Sequence, residues 1–198
     1  KIKEYDKDAY IILEHWAPAA EESILAGYGY KMWRNRSYDV VPATTGAGGG
    51  SFSDMGVTSH VTYFDSHDER RLAEHVITEG LSKDGYNTKT DEIMYERVKM
   101  AAAFTFLFTG PKMMWQFDEL GYDIDINLNG RLGRKPLPWG IGGLGYYENE
   151  LRQHIFTVYK EVLKLRKTLG ADKLAAASQS HKLTGNTRRL VYNTTGTD

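Results

Sequence analysis

Two carboxylates in this chain follow short apolar runs and could work as a pair. Glu14 follows residues 9–13 (AYIIL), and Asp68 follows residues 61–64 (VTYF) after Asp65, Ser66 and His67. An apolar run of this length is consistent with a buried strand. Such a strand usually ends in a turn of Gly, Asn or Pro. Residues 65–71 instead supply Asp65, His67, Asp68, Glu69, Arg70 and Arg71, with no Gly among them. Two carboxyl groups facing one cleft are what glycoside hydrolysis uses. One acid protonates the leaving oxygen, and a second carboxylate stabilises or traps the oxocarbenium-like centre. The plainer alternative for any one of these groups is a surface charge after a strand, or a loop-bracing pair in the case of His67 and Asp68.

The elements expected to position them alternate. Pro18 opens a helix over 19–26, since proline suits a first turn. A strand is expected within 30–41, a helix over 69–79 and another over 91–108. Residues 112–117 (KMMWQF) read as a strand ending in Asp118 and Glu119, which brace loops in this reading. The clearest helix is 148–169, where Leu151, Ile155, Val158, Val162, Leu165 and Leu169 keep a three-to-four spacing, with Gly170 as its cap. Alternating strands and helices predict a parallel sheet with helices outside it. In a (β/α)₈ barrel the carboxyl ends of the strands converge on one face, where active sites lie. A whole barrel takes about 250 residues, so the expectation is a partial (β/α)₈ TIM barrel of α/β class over residues 1–171. Residues 172–198 are expected to begin an antiparallel, β-rich C-terminal domain.

Composition narrows the partners. The net charge is −1 over 198 residues, so no overall field draws nucleic acid or anionic lipid. No apolar run reaches the ~18 residues of a transmembrane helix. With no cysteine, disulfides, thiol catalysis and Cys-ligated zinc are excluded. The 13 Tyr and 4 Trp suit sugar binding, because aromatic faces stack on pyranose rings, although packing explains any single one as well. The glycine-rich stretch 44–51 (TTGAGGGS) lacks the Gly-Lys-Ser/Thr of a nucleotide phosphate loop.

Four words raise the pair above a chance arrangement: IILEHW (11–16), FDSHDERRL (64–72), FTGPKMMWQFDELGYD (108–123) and GRKPLPW (133–139). In this order and spacing the chain resembles the α-amylase family, glycoside hydrolase family 13, over most of residues 8–170. The resemblance implies that Glu14 is the general acid/base and that Asp68 is the carboxylate stabilising the distorted sugar. It gives His67 a hydrogen bond to that sugar's hydroxyls, and it places Trp16, Trp33 and Arg134 along the substrate cleft. The family's usual Asn before the histidine is Ser66 here. The family's nucleophile stands in a Gly-Phe-Arg-x-Asp word, and no such word occurs in this chain.

The expected function is therefore that of part of a retaining hydrolase acting on α-glucans, with the chain inactive by itself. Its expected partners are an α-glucan or oligosaccharide, and either the missing N-terminal half of the barrel or a second copy of the chain. A catalytically silent, carbohydrate-binding homologue is the rival reading. No cofactor is required. Calcium is common in the family but has no assigned position here. Asp125 to Gly130 matches the first half of a calcium loop, yet the twelfth position is Pro136 instead of Glu, so an Asx turn is expected there.

Overall fold

The computed structural model describes residues 1–182 and 187–193. After a short helix α1 (Ile2–Tyr5), the chain runs through β1 (Ile12–Leu13), α2 (Ala19–Gly27), β2 (Lys31–Asn35), α3 (Ser37–Thr45) and β3 (His60–Tyr63). It continues with α4 (Leu72–Glu79), a hairpin of β4 (Ser82–Lys83) and β5 (Tyr86–Asn87), α5 (Asp91–Leu107) and α6 (Glu150–Leu169). It closes with α7 (Ala171–Ala176) and an antiparallel pair, β6 (Ser178–Lys182) and β7 (Arg189–Asn193). Parts of the expected C-terminal β region, 183–186 and 194–198, lie outside the described residues.

The three strands β1, β2 and β3 pair in that order and in parallel. One further parallel bridge joins Thr62 to Lys112. The sheet does not close, so the partial TIM barrel expected from the sequence is not formed among the described residues. The physical reason lies in strand length and cover. Barrel closure requires staggered strands with every edge paired, whereas β1 has two residues and one partner. Parallel strands stay long where both faces are covered, but Ile12 is 45% exposed, so the AYIIL run is not a buried strand. Two other expected strands shrink as well. Within 30–41 the strand stops at Asn35, whose Oδ1 accepts the Ser37 N–H at 2.7 Å and starts α3. Residues 112–117 contribute only the bridge at Lys112 before a 3-10 turn, Asp118–Leu120.

The core forms where helices cover the sheet. Val40, Phe52, Met55, Phe64, Leu72, Ala101 and Phe108 make one buried cluster. On the other side of α5, Val76, Met94, Tyr95, Val98, Phe106, Ile155 and Tyr159 make a second. The inward stripe of α6 is Arg152, Ile155 and Tyr159. Leu151 and Leu165, which the spacing placed inside, are 37% and 46% exposed.

Two cations close the C-terminal end of α5, where carbonyls lack intrahelical partners. Arg166 donates to the carbonyls of Phe106, Phe108 and Gly110. Lys112 Nζ donates to those of Met55, Thr109 and Gly110. Glycine is required at 110: its φ is +78°, and a Cβ would stand 2.3 Å from the Val57 carbonyl oxygen.

Candidate active site

β1, β2 and β3 run in register, Leu13 beside Met32 and Trp33 beside Val61, so their carboxyl ends share one edge of the sheet. Glu14 leaves that edge exposed. Tyr63, the last residue of β3, is 2% exposed, and the Trp33 ring lies over it with centroids 4.5 Å apart. The Tyr63 phenol is pushed well above its ordinary value, first by burial and then by the charges of Glu69, Glu14 and Asp68. Three carboxylates from two strand ends therefore bear on one phenol. Glu14 and Asp68 each follow a strand whose carboxyl end lies on that edge.

Ser66 builds the turn that presents Asp68. Its Oγ accepts the Asp68 N–H at 3.0 Å and donates to Glu69 Oε2. Glu69 Oε1 in turn accepts from Asn35 Nδ2 at 2.6 Å, which ties the end of β2 to the same turn. Asp68 faces a guanidinium and an imidazole. Arg131 Nη2 reaches its Oδ1 at 2.7 Å and its backbone carbonyl at 3.0 Å, and His67 Nε2 lies 3.4 Å from Oδ2. His67 also packs against Trp115, with centroids 6.1 Å apart. A small cleft of about 160 Å³ is lined by His67, Glu69, Trp115, Tyr122, Ile124 and Arg131, among others. Trp115, within the stretch 112–117 expected as a strand, lines this cleft.

Of the remaining expected site residues, Trp16 and Arg134 do not line this cleft. Trp16 is 65% exposed beyond β1. Arg134 lines a second cleft of about 430 Å³ with Trp139, Leu137 and Ile141, and Lys135 lines both clefts. Sequence reasoning missed Tyr63, Glu69 and Arg131. Arg131 meets Asp68 across 63 positions of sequence, and no motif spacing links them. Asp125 forms the expected Asx turn, its Oδ1 accepting the Asn127 N–H at 2.7 Å. Among the described residues no group of three or more His, Asp or Glu side chains is placed to hold a metal ion, and no helix is long and apolar enough to cross a membrane.

Beneath the cleft lies a buried acid cluster. Asp65 Oδ2 accepts the Leu72 N–H at 3.0 Å and starts α4. Asp118 accepts the Trp115 N–H at 3.0 Å and Arg71 Nη1 at 3.1 Å. Arg71 also donates to the Gln116 carbonyl at 2.9 Å and lies over the Trp115 and Tyr122 rings. Burial raises Asp65 to about 6, against the Leu72 N–H and Arg71, which favour its charge. Burial, and then the charge of Asp65, raises Asp118 well above the carboxylate range. Both shifts favour a protonated carboxyl here, and one proton held by the pair would balance it against the single Arg71 charge. This cluster holds the loops under the cleft and is sealed from substrate, since Asp65 and Asp118 are 3% and 5% exposed.

A scan against protein-family models finds no match, and no curated protein matches the chain. The α-amylase resemblance accordingly rests on the four words alone.

Proposed function

We propose that this chain supplies part of the sugar-binding and acid/base side of a retaining α-glucan-active hydrolase. The observation that supports the reading is that Glu14 and Asp68 follow β1 and β3, strands of one parallel sheet whose carboxyl ends share one edge. In this reading Glu14 protonates the glycosidic oxygen and later takes a proton from water. Asp68, with His67 beside it, accepts hydrogen bonds from sugar hydroxyls and stabilises positive charge at the anomeric carbon. Trp33 and Trp16 offer aromatic faces to pyranose rings, and Arg134 lies along the rim. The nucleophile has no matching residue here. Glu14 and Asp68 already hold other roles, so the chain alone binds glucan and does not cleave it.

One observation favours the rival reading, a silent carbohydrate-binding protein. Arg131 is ion-paired to Asp68 at 2.7 Å and competes with a sugar for that carboxylate. The test is calorimetric titration of the chain with maltoheptaose and, separately, cellopentaose, alongside a reducing-sugar assay. Binding of the α-linked oligomer only, lost in Asp68→Ala, supports both readings. In a longer protein that also carries a nucleophile, Glu14→Gln separates them, because loss of acid/base assistance slows cleavage by about 10²–10⁴-fold. Absence of α-glucan binding by the folded chain would refute both.

A further inference from the structure

A second cavity lies away from the cleft, against α3. It measures about 770 Å³ and is walled by the glycine-rich stretch at 46–50, by Leu81, Met100 and Phe104, and by two arginines, Arg97 of α5 and Arg188 before β7. From these features we infer that the cavity is a binding site for a small phosphomonoester. Its phosphoryl group would sit between the Arg97 and Arg188 guanidiniums, and its organic body against Leu81, Met100 and Phe104.

Charge is the first argument. Neither arginine makes an ion pair or a hydrogen bond with another described residue. Arg97 Nε and Arg188 Nη1 are sealed from solvent with no acceptor, and a buried donor without an acceptor is costly. The two charges are near enough to oppose each other: Arg188 is shifted down by burial first and then by Arg97. No carboxylate lines the cavity among the described residues. Two uncompensated guanidiniums call for a dianion, and their planar forks fit phosphoryl oxygens bidentately.

Shape is the second argument. A Cβ at Gly46 would stand 2.4 Å from Arg97 Nη2, so glycine there leaves Arg97 its place at the wall. An added Cβ at Gly48 or Gly49 would meet nothing within 4 Å, so that rim is open to an entering group. Packing alone explains little of this arrangement. Arg188 does lie over the Phe52 ring at 5.5 Å, but Arg97 has no ring or carboxylate partner among the described residues, and a methionine would fill the same space without charge.

The experiment is calorimetric titration at fixed ionic strength with inorganic phosphate, phenyl phosphate, acetate and chloride. The expected order is phenyl phosphate tightest, then phosphate, with acetate and chloride far weaker. Arg97→Gln and Arg188→Gln should each weaken phosphate binding by about ten- to a hundredfold, as expected for a charged hydrogen-bond pair. Because a variant could fail to fold, Leu81→Glu gives a second test. It places a carboxylate beside Arg97, and should raise the melting temperature without phosphate while abolishing phosphate binding. Equal binding of acetate and phosphate would overturn the inference. So would phosphate affinity unchanged in the folded glutamine variants, or retained in Leu81→Glu. Phenyl phosphate binding no tighter than inorganic phosphate would overturn the apolar half of the site. The sugar cleft plays no part in these outcomes.

Discussion

Asp118→Asn tests the shared proton beneath the cleft. With both carboxyls ionised, Asp65, Asp118 and Arg71 would leave one uncompensated negative charge in the interior. With one proton shared, the cluster is neutral. Because the folded values lie above the unfolded one, the folded state binds more protons, and stability falls as pH rises. The contribution is fully present below the ordinary value of 3.8 and is lost as pH climbs through about 6. At about 1.4 kcal/mol per unit of pH, the Asp65 displacement corresponds to about 3 kcal/mol. An asparagine at 118 imitates the protonated acid. Its oxygen still accepts the Trp115 N–H, while its non-titrating N–H₂ replaces Oδ1 and gives up the bond from Arg71 Nη1, so the variant is compared by the slope of its pH profile and not by its absolute stability. Urea unfolding followed by tryptophan fluorescence at pH 4.5, 5.5, 6.5 and 7 is the assay. The wild type is expected to lose about 2 kcal/mol across this range, which starts above 3.8, and Asp118→Asn to lose much less. The range stops at 7 because Lys112, held down to about 7 by burial and Arg166, begins to titrate there with the opposite sign. Parallel pH profiles for the two proteins, or stability rising from 4.5 to 7, would refute the shared-proton argument.

Other predictions follow from the same contacts. Above pH 7 the folded state releases the Lys112 proton before the unfolded chain does, so this group adds stability as pH rises from about 7 toward 10.5; Lys112→Met should flatten that rise in the same urea titration. Arg152, 5% exposed, holds Asp123 Oδ2 at 2.9 Å and the carbonyls of Leu120 and Gly121, so Arg152→Met should cost about 3 kcal/mol by leaving two carbonyls unmet and the half-buried Asp123 carboxylate with only the Tyr146 hydroxyl, measured by urea midpoint. Asp68 is half exposed, so Asp68→Ala should leave the melting temperature within ~2 °C while weakening maltoheptaose binding at least about tenfold. The edge of β1 that pairs with no other strand among the described residues, with Ile12 and Trp16 exposed beside it, should drive self-association at high concentration, visible by light scattering; a strictly monomeric chain would count against it.

The sequence by itself located most helices and the charged strand ends. The helix over 91–108 is observed as Asp91–Leu107, because its apolar spacing and the Gly110-Pro111 break are local features. Asp68 and Glu14 were legible for the same reason: an apolar run ending in ionisable groups is visible in one dimension. Strand length was not. Whether residues 9–13 are buried depends on what covers them, and the structure leaves Ile12 exposed. Side-chain direction was no more legible, since α6 turns Arg152 and Tyr159 inward in place of Leu151 and Leu165. Arg152 can go inside only because Asp123 and two carbonyls from a distant turn meet it there. The Arg131–Asp68 pair, the Asp65–Asp118 proton and the Arg97–Arg188 cavity share that origin. Each joins groups more than 40 residues apart, and no local spacing encodes such a meeting. Tertiary packing alone decides which charges find partners and which are left to bind something else.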